Sequence, residues 1–392
     1  MKRTKLISFL MLSVLVIQAQ ELAHSYYYTD GYSIIPKMTL ERENDIVIPY
    51  SITKNEEKKA GILYLNKDNS IKDAVLFEGE NNYVINEVIE AANGNLLVSA
   101  EGYSEQGQES LYFIELNEGG IVNDFVFNEG GNELDPFAIL EVGENILIGG
   151  FIKSRELVSN SFYNMYSETQ MIYIGEFSKS GDKVWSKGIE IEGFEKGICN
   201  KMIRKGNDVF LLCHANKIGQ DMSPFLIKIN MEGEVQSIIQ IYRSNGITIG
   251  SDLTVKGGVV ELFGTSSKED MHYFFLSKLS IEFSLLRNTV FELPYRFNIE
   301  GVYENKYLFG SVITNSRGYD NAFIERNQDK FSFSFSGGER SDLTTGIIGD
   351  FYYSYTIGGS KIKSSVFNIN RKEDVSSVNL IESELVLKIG RA

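Results

Sequence analysis

The chain has 392 residues, 38 of them Lys or Arg and 53 Asp or Glu, for a net charge of −15. That balance argues against nucleic acid, whose binding needs clustered cations to release counterions, and equally against polyanionic glycans. A hydrophobic content of 43%, with 25 Phe and 21 Tyr, excludes a disordered chain and is ample for a large core.

Lys2, Arg3 and Lys5 precede a short apolar run, Leu6 to Val16, and Ala19 offers a small residue for cleavage, so residues 1–19 are predicted to be a signal peptide. The run is shorter than the ~20 residues that span a bilayer. Its removal takes three basic residues and no acidic one, moving the charge from −15 to −18. No later stretch suggests an integral membrane segment. The mature protein is therefore expected in the periplasm, at the cell surface or in the medium, as a monomer.

Seven apolar runs each follow a turn: Asn44-Asp45, Gly94-Asn95, Glu144-Asn145, Asn207-Asp208, Gly257-Gly258, Glu304-Asn305 and Gly349-Asp350. The second members are 50, 50, 63, 50, 47 and 45 residues apart. A second apolar run in each unit stops at Asn66, Asn117, Ser178, Asn230, Ser280, Asn327 and Asn370, with spacings of 51, 61, 52, 50, 47 and 43. Two markers thus share one period. The second unit parses into strands at Tyr83 to Ala91, Leu96 to Ala100, Leu111 to Leu116 and Ile121 to Phe127, rich in β-branched and aromatic residues and separated by Gly-containing turns. A four-stranded sheet at this period is the β-propeller solution, in which neighbouring blades cover each other's faces.

The all-β prediction is a single propeller domain, 20–392, of about seven four-stranded blades. The blades fall near residues 31–80, 81–130, 131–190, 193–245, 246–292, 295–335 and 341–381, with the terminal segments closing the ring.

The stretch Ser223-Pro224-Phe225-Leu226-Ile227-Lys228-Ile229-Asn230-Met231-Glu232-Gly233-Glu234-Val235 resembles the secreted bacterial propeller repeats, in which a strand ends at Asn or Asp before a Gly turn and an outer strand. The resemblance covers roughly residues 31–381 and implies architecture of the quinoprotein or kelch kind, with no specific subfamily. Trp185 is the one tryptophan, where quinone propellers repeat it, and Ile146-Leu147-Ile148-Gly149-Gly150 is the one good kelch-like run. Ser178 to Trp185 looks like a sialidase Asp box but has Ser180 in place of the Asp, so a structural turn is expected there. Propellers host many functions, so none follows from the fold.

Catalytic signatures are absent. There is no G-x-S-x-G, no H-E-x-x-H and no C-x-x-C, and no catalytic residue or metal ligand is assigned. His24, His214 and His272 fall in different units; His214 and His272 lie near loops between second and third strands and are candidate binding residues. No cofactor is expected, with Ca²⁺ at the oxygen-rich stretch Asn128 to Asp135 as the one candidate; the similar Asn66 to Ser70 reads as a turn. Cys199 and Cys213 are symmetric about Gly206, so they face each other across a hairpin either as a disulfide, which export permits, or as buried thiols. The third unit is longer because residues 152–170 carry about ten extra positions, among them Phe162, Tyr163 and Tyr166, candidate binding aromatics on the loop face.

These features point to an exported, non-enzymatic binding or scaffolding propeller with a protein or glycan partner on that face. The alternatives are a lyase or hydrolase acting on a glycan or peptide through unidentified carboxylates, and a subunit of an envelope assembly.

Overall fold

A computed structural model describes residues 22–27, 33–54, 57–77, 82–103, 109–118, 120–127, 133–159, 164–217, 220–242, 246–313, 319–327, 330–336, 341–348, 351–357, 363–368, 375–377, 380–381 and 386–390. The predicted signal peptide lies outside them. Every described element is a strand, and no helix among the described residues is long and apolar enough to cross a membrane.

Both sequence markers fall at strand ends. Second strands begin at Ile46, Leu96, Asn145, Asp208, Val259, Tyr307 and Phe351, and third strands end at Leu65, Asn117, Ser178, Asn230, Ser280, Asn327 and Asn368. The turns work because they hold residues with positive φ, such as Gly94 at 81° and Asn69 at 65°, which reverse the chain in the sense that suits twisted strands. A polar clasp recurs beside them. Asn95 Nδ2 donates to Glu115 at 2.6 Å, Asn145 Nδ2 donates to Glu176 at 2.6 Å, and Lys228 pairs with Asp208 at 3.1 Å, each tying the start of a second strand to the end of the third.

Consecutive strands pair antiparallel in chain order, as Asn82–Glu90, Leu96–Tyr103, Glu109–Asn117 and Gly120–Phe127 do in the second unit. Six sheets result, in a propeller-like arrangement. Four are built on one run of consecutive strands and stand as separate blades, within 33–76, 82–127, 247–293 and 296–336, against the seven expected.

Two joins make the difference. The third and fourth runs merge into one nine-stranded sheet through a parallel bridge between Gln170 and Lys196. The last run, Ser341–Ile348, Phe351–Ile357 and Lys363–Asn368, takes its fourth strand from the N-terminal Leu22–Tyr27. The expected seventh unit, 341–381, is also shorter as a sheet. Its strands end at Asn368, and the segments Val375–Ser377, Leu380–Ile381 and Val386–Gly390 instead pair with the outer strands of the sixth, fifth and fourth runs. They cover edges that would otherwise expose unpaired backbone.

The core lies between units. One cluster joins Phe210, Leu212 and Leu226 of the fourth run to Leu253, Leu262 and Phe275 of the fifth; another joins Phe263, Phe274 and Phe291 of the fifth to Phe297, Leu308 and Phe333 of the sixth. Sheets covered on both faces lose the alternation of a half-exposed strand. Hence Val209 to Ala215 is buried without a break, whereas in Gly120–Phe127, an outer strand, Phe127 alone is buried. First strands of consecutive units touch from the second unit to the seventh. The last and first runs meet where Thr39 packs on Gly346 and where Tyr353 Oη donates to Asn69 Oδ1 at 2.5 Å.

Candidate functional site at the converging first strands

Six of the first strands carry a bulge. The extra residues are Asn86, Phe137, Asn200, Ser251, Glu300 and Thr345, spaced 51, 63, 51, 49 and 45 apart, which follows the sequence period. A bulge bends its strand and re-aims the side chains beside it. Glu87, Lys201 and Asp252 each directly follow one, and Lys37 occupies the break between the first two strands of the first unit.

These charges come from separate units and meet. Lys201 Nζ pairs with Asp252 Oδ1 across the fourth and fifth units, and Glu87 of the second lies within the electrostatic reach of both. Burial pushes the Glu87 carboxyl up to about 7, although Oε2 accepts the Ile139 N–H at 2.6 Å. For Lys201, burial is opposed by Asp252 and Glu87, which hold its ammonium above the ordinary value. Lys37 also lies within the electrostatic reach of Glu101 and Glu300; burial lowers its amine against those charges and raises the Glu300 carboxyl against Lys37. Sequence reasoning missed this cluster. Its signal was the bulge period, which becomes visible only when the units are aligned.

His214 belongs to the same construction. It is 7% exposed; its Nδ1 lies 2.6 Å from Asn200 Oδ1, and its Nε2 accepts the Gly250 N–H at 3.1 Å. That N–H precedes the fifth unit's bulge. Ser51 Oγ accepts the Ile85 N–H, just before the second unit's bulge, at 3.1 Å. Ser51 and His214 each stand six residues after a turn aspartate, Asp45 and Asp208, so both satisfy the donor that the next unit's bulge leaves unpaired. Burial pulls the His214 imidazole down to about 4, which keeps it the neutral acceptor this bond requires. It is a seam residue, not a ligand-facing one.

His272 is different. It lines a cleft between the fifth and sixth units with Ile247, Ile249, Arg296 and Phe297, and is not joined to His214. Cys199 and Cys213 are direct cross-strand partners, fully buried and free, and burial drives the Cys213 thiol well above its ordinary range.

The long segment of the third unit is a hairpin arm. Asn145–Ser159 and Asn164–Ser178 stay paired out to Ser159↔Asn164, with Leu157↔Tyr166 and Val158↔Met165 on the way. Phe162 and Tyr163 lie outside the described residues, as do positions 128–132 of the stretch considered for Ca²⁺. No group of three His, Cys, Asp or Glu among the described residues is placed to hold a metal. The segment that looks like an Asp box is a turn, with Gly181 at φ 92° and Trp185 Nε1 donating to Glu176 Oε2 at 2.6 Å.

No protein-family model matches the chain, and no curated protein matches its sequence. Among solved structures, a puromycin hydrolase is similar at 8% identity and a TM-score of 0.52, over 86% of this chain and 54% of that one, about half the hydrolase's length. The extracellular domains 1–2 of Drosophila Semaphorin 1a align at 9% identity and a TM-score of 0.49, over 90% of this chain and 89% of that one. The sialidase of Trypanosoma rangeli aligns at 9% identity and a TM-score of 0.41, over 88% and 60%. At 8% identity the likeness to the hydrolase is one of fold alone.

Proposed function

We propose that the chain is an exported, seven-unit propeller that binds a partner in the bacterial envelope or at its surface, its role being attachment or scaffolding rather than turnover. The seven-unit count rests on the two sequence markers and on the merged and end-completed runs, each of which repeats the same strand pattern. The observation that carries the binding role is the hairpin arm, two 15-residue strands where the corresponding strands of the other units have 6 to 10. An arm longer than the blade needs is surface given to a partner, protein or glycan, and Phe162, Tyr163 and Tyr166 are its candidate anchors. On export, Cys199 and Cys213 stand ready to be joined.

A photo-crosslinking residue at position 163, with a control at the exposed Lys205 that ends a first strand, tests this in the producing bacterium. A discrete adduct from 163 that the control lacks is expected. No adduct from either position overturns the reading. A second reading, a hydrolase or lyase, is favoured by Glu87, whose carboxyl titrates near neutrality as a general acid should. Loss of an activity toward a glycan or peptide in Glu87→Gln would establish it.

A further inference from the structure

Ile247, Ser267, His272 and Leu293 pair in register across the fifth unit, so their side chains share one face of its sheet. Leu293 packs into the core shared with the sixth unit, so that face is turned toward the sixth. At the other end of the row Ile247 stays 41% exposed, and Ile249, two residues on, 38%. Arg296 and Phe297, at the start of the sixth unit's first strand, form the opposite wall. Between them is a recess of about 20 Å³, room for one water-sized group, at the base of a cleft open to solvent.

The His272 ring has a defined polarity. Its Nδ1 is buried without a hydrogen-bond partner. Stranding a lone pair costs less than stranding an N–H, so the proton belongs on Nε2, the nitrogen left open to the cleft. Burial and the Arg296 charge, opposed by Asp270, hold the imidazole below its ordinary value, so it enters neutral water as an uncharged donor. No carboxylate among the described residues pairs with Arg296. In a chain of charge −15 that arrangement is unusual: a guanidinium and an N–H donor meet at a recess flanked by an apolar wall.

We propose that this cleft binds a carboxylate carrying a short apolar tail, the headgroup on Arg296 and His272 Nε2–H and the tail along Ile247 and Ile249. A guanidinium takes a carboxylate with two parallel hydrogen bonds, and the recess beside it has room for one of the carboxylate oxygens. A phosphate would be larger, would ask for a second cation and would leave the isoleucine wall unused. The site is separate from the hairpin arm and is tested apart from it.

Histidine labelling suits the experiment, because the chain has three histidines and His214 is sealed in its seam. The ring resonances of ¹³C-histidine protein would be followed while acetate, hexanoate, hexanamide, N-acetyl-Ala-Leu and inorganic phosphate are added separately. Hexanoate is expected to move the His272 signal saturably and to bind at least tenfold tighter than acetate, while hexanamide leaves it in place. Arg296→Gln should weaken hexanoate at least tenfold with an unchanged thermal transition, and Ile249→Ser should erase its advantage over acetate. Tighter binding of N-acetyl-Ala-Leu than of hexanoate assigns the site to peptide C-termini, and the reverse order to free aliphatic acids. Phosphate binding as tight as hexanoate, a hexanoate response indifferent to Arg296→Gln, or no response to hexanoate would each overturn the proposal.

Discussion

The junction between the fourth and fifth units and the junction between the fifth and sixth each place a histidine and a cation against a neighbour's first strand, yet they end in opposite states. In the former, His214 holds the Gly250 N–H and Lys201 holds Asp252, so each polar group named has a partner across the seam. In the latter, His272 leaves Nδ1 without a partner and Arg296 faces a cleft. A buried polar group that is satisfied fixes two units relative to each other, and one left open is available to something else. The distinction depends on what the next unit supplies, not on the residue type.

The largest effect should come from cutting the closed seam at its charge. Lys201→Met leaves the Asp252 carboxylate, 3% exposed, without its cation and should cost about 3–5 kcal/mol in a denaturant titration. The double variant Lys201→Met with Asp252→Leu should recover most of that. If the single variant costs under about 1 kcal/mol, the seam is not held by this pair.

Acid should act on the same junction next. His214 is neutral and depressed to about 4 from 6.5, so its contribution is complete above 6.5 and is lost as pH falls toward 4, about 3 kcal/mol in all. Glu87 runs the other way. Raised from 4.5 to about 7, it favours the fold when protonated and withdraws that contribution as pH rises through the same range. Between about 4.5 and 6.5 the two slopes oppose each other. Subtracting the stability curve of the parent from that of Glu87→Gln cancels the other carboxylates and should give a difference that grows with pH across this window. A flat difference would show that Glu87 titrates as an ordinary carboxylate.

Smaller still is the hydroxyl version of the His214 bond. Ser51→Ala should cost about 1–2 kcal/mol by stranding the buried Ile85 N–H. His272→Ala, at the open junction, should stay within about 0.5 kcal/mol of the parent. Equal losses at Ser51 and His272 would remove the contrast between sealed and open seams.

What the sequence disclosed follows the same division between local and shared features. Turns such as Asn93-Gly94 and the strand stops at Asn117 or Asn230 are set by neighbouring residues, so the strand ends could be read directly. The facing of Cys199 and Cys213 needed only a hairpin centred on Gly206, and it too was legible. The bulges were not, because the N–H groups they free are satisfied by the preceding unit, as Gly250 is by His214. Aligning the units on Asp45 and Asp208 would have shown Ser51 and His214 at one offset, although serine and histidine share no obvious pattern. His272 stood out as a candidate binding residue, but Arg296 gave no signal and their meeting could not be read, since they belong to different units and come together only when those units pack. The joining of the third and fourth runs through Gln170 and Lys196 was likewise invisible, being a single bridge with no sequence mark.

The pairing of Leu22–Tyr27 with Lys363–Asn368 sets a clock on biosynthesis. Leu22 lies opposite Phe367, so the earliest of the described strands must wait for a far later one before it has its neighbour. At 5–20 residues per second that wait is on the order of 20 to 70 s, far longer than the microseconds in which a hairpin forms. Inner units can form as they emerge, while Leu22–Tyr27 stays unpaired and open to pairing with another chain. Fusions or truncations at the N-terminus should therefore appear first as association between unfinished molecules, and a chaperone that shields strand edges would be of most use in that interval.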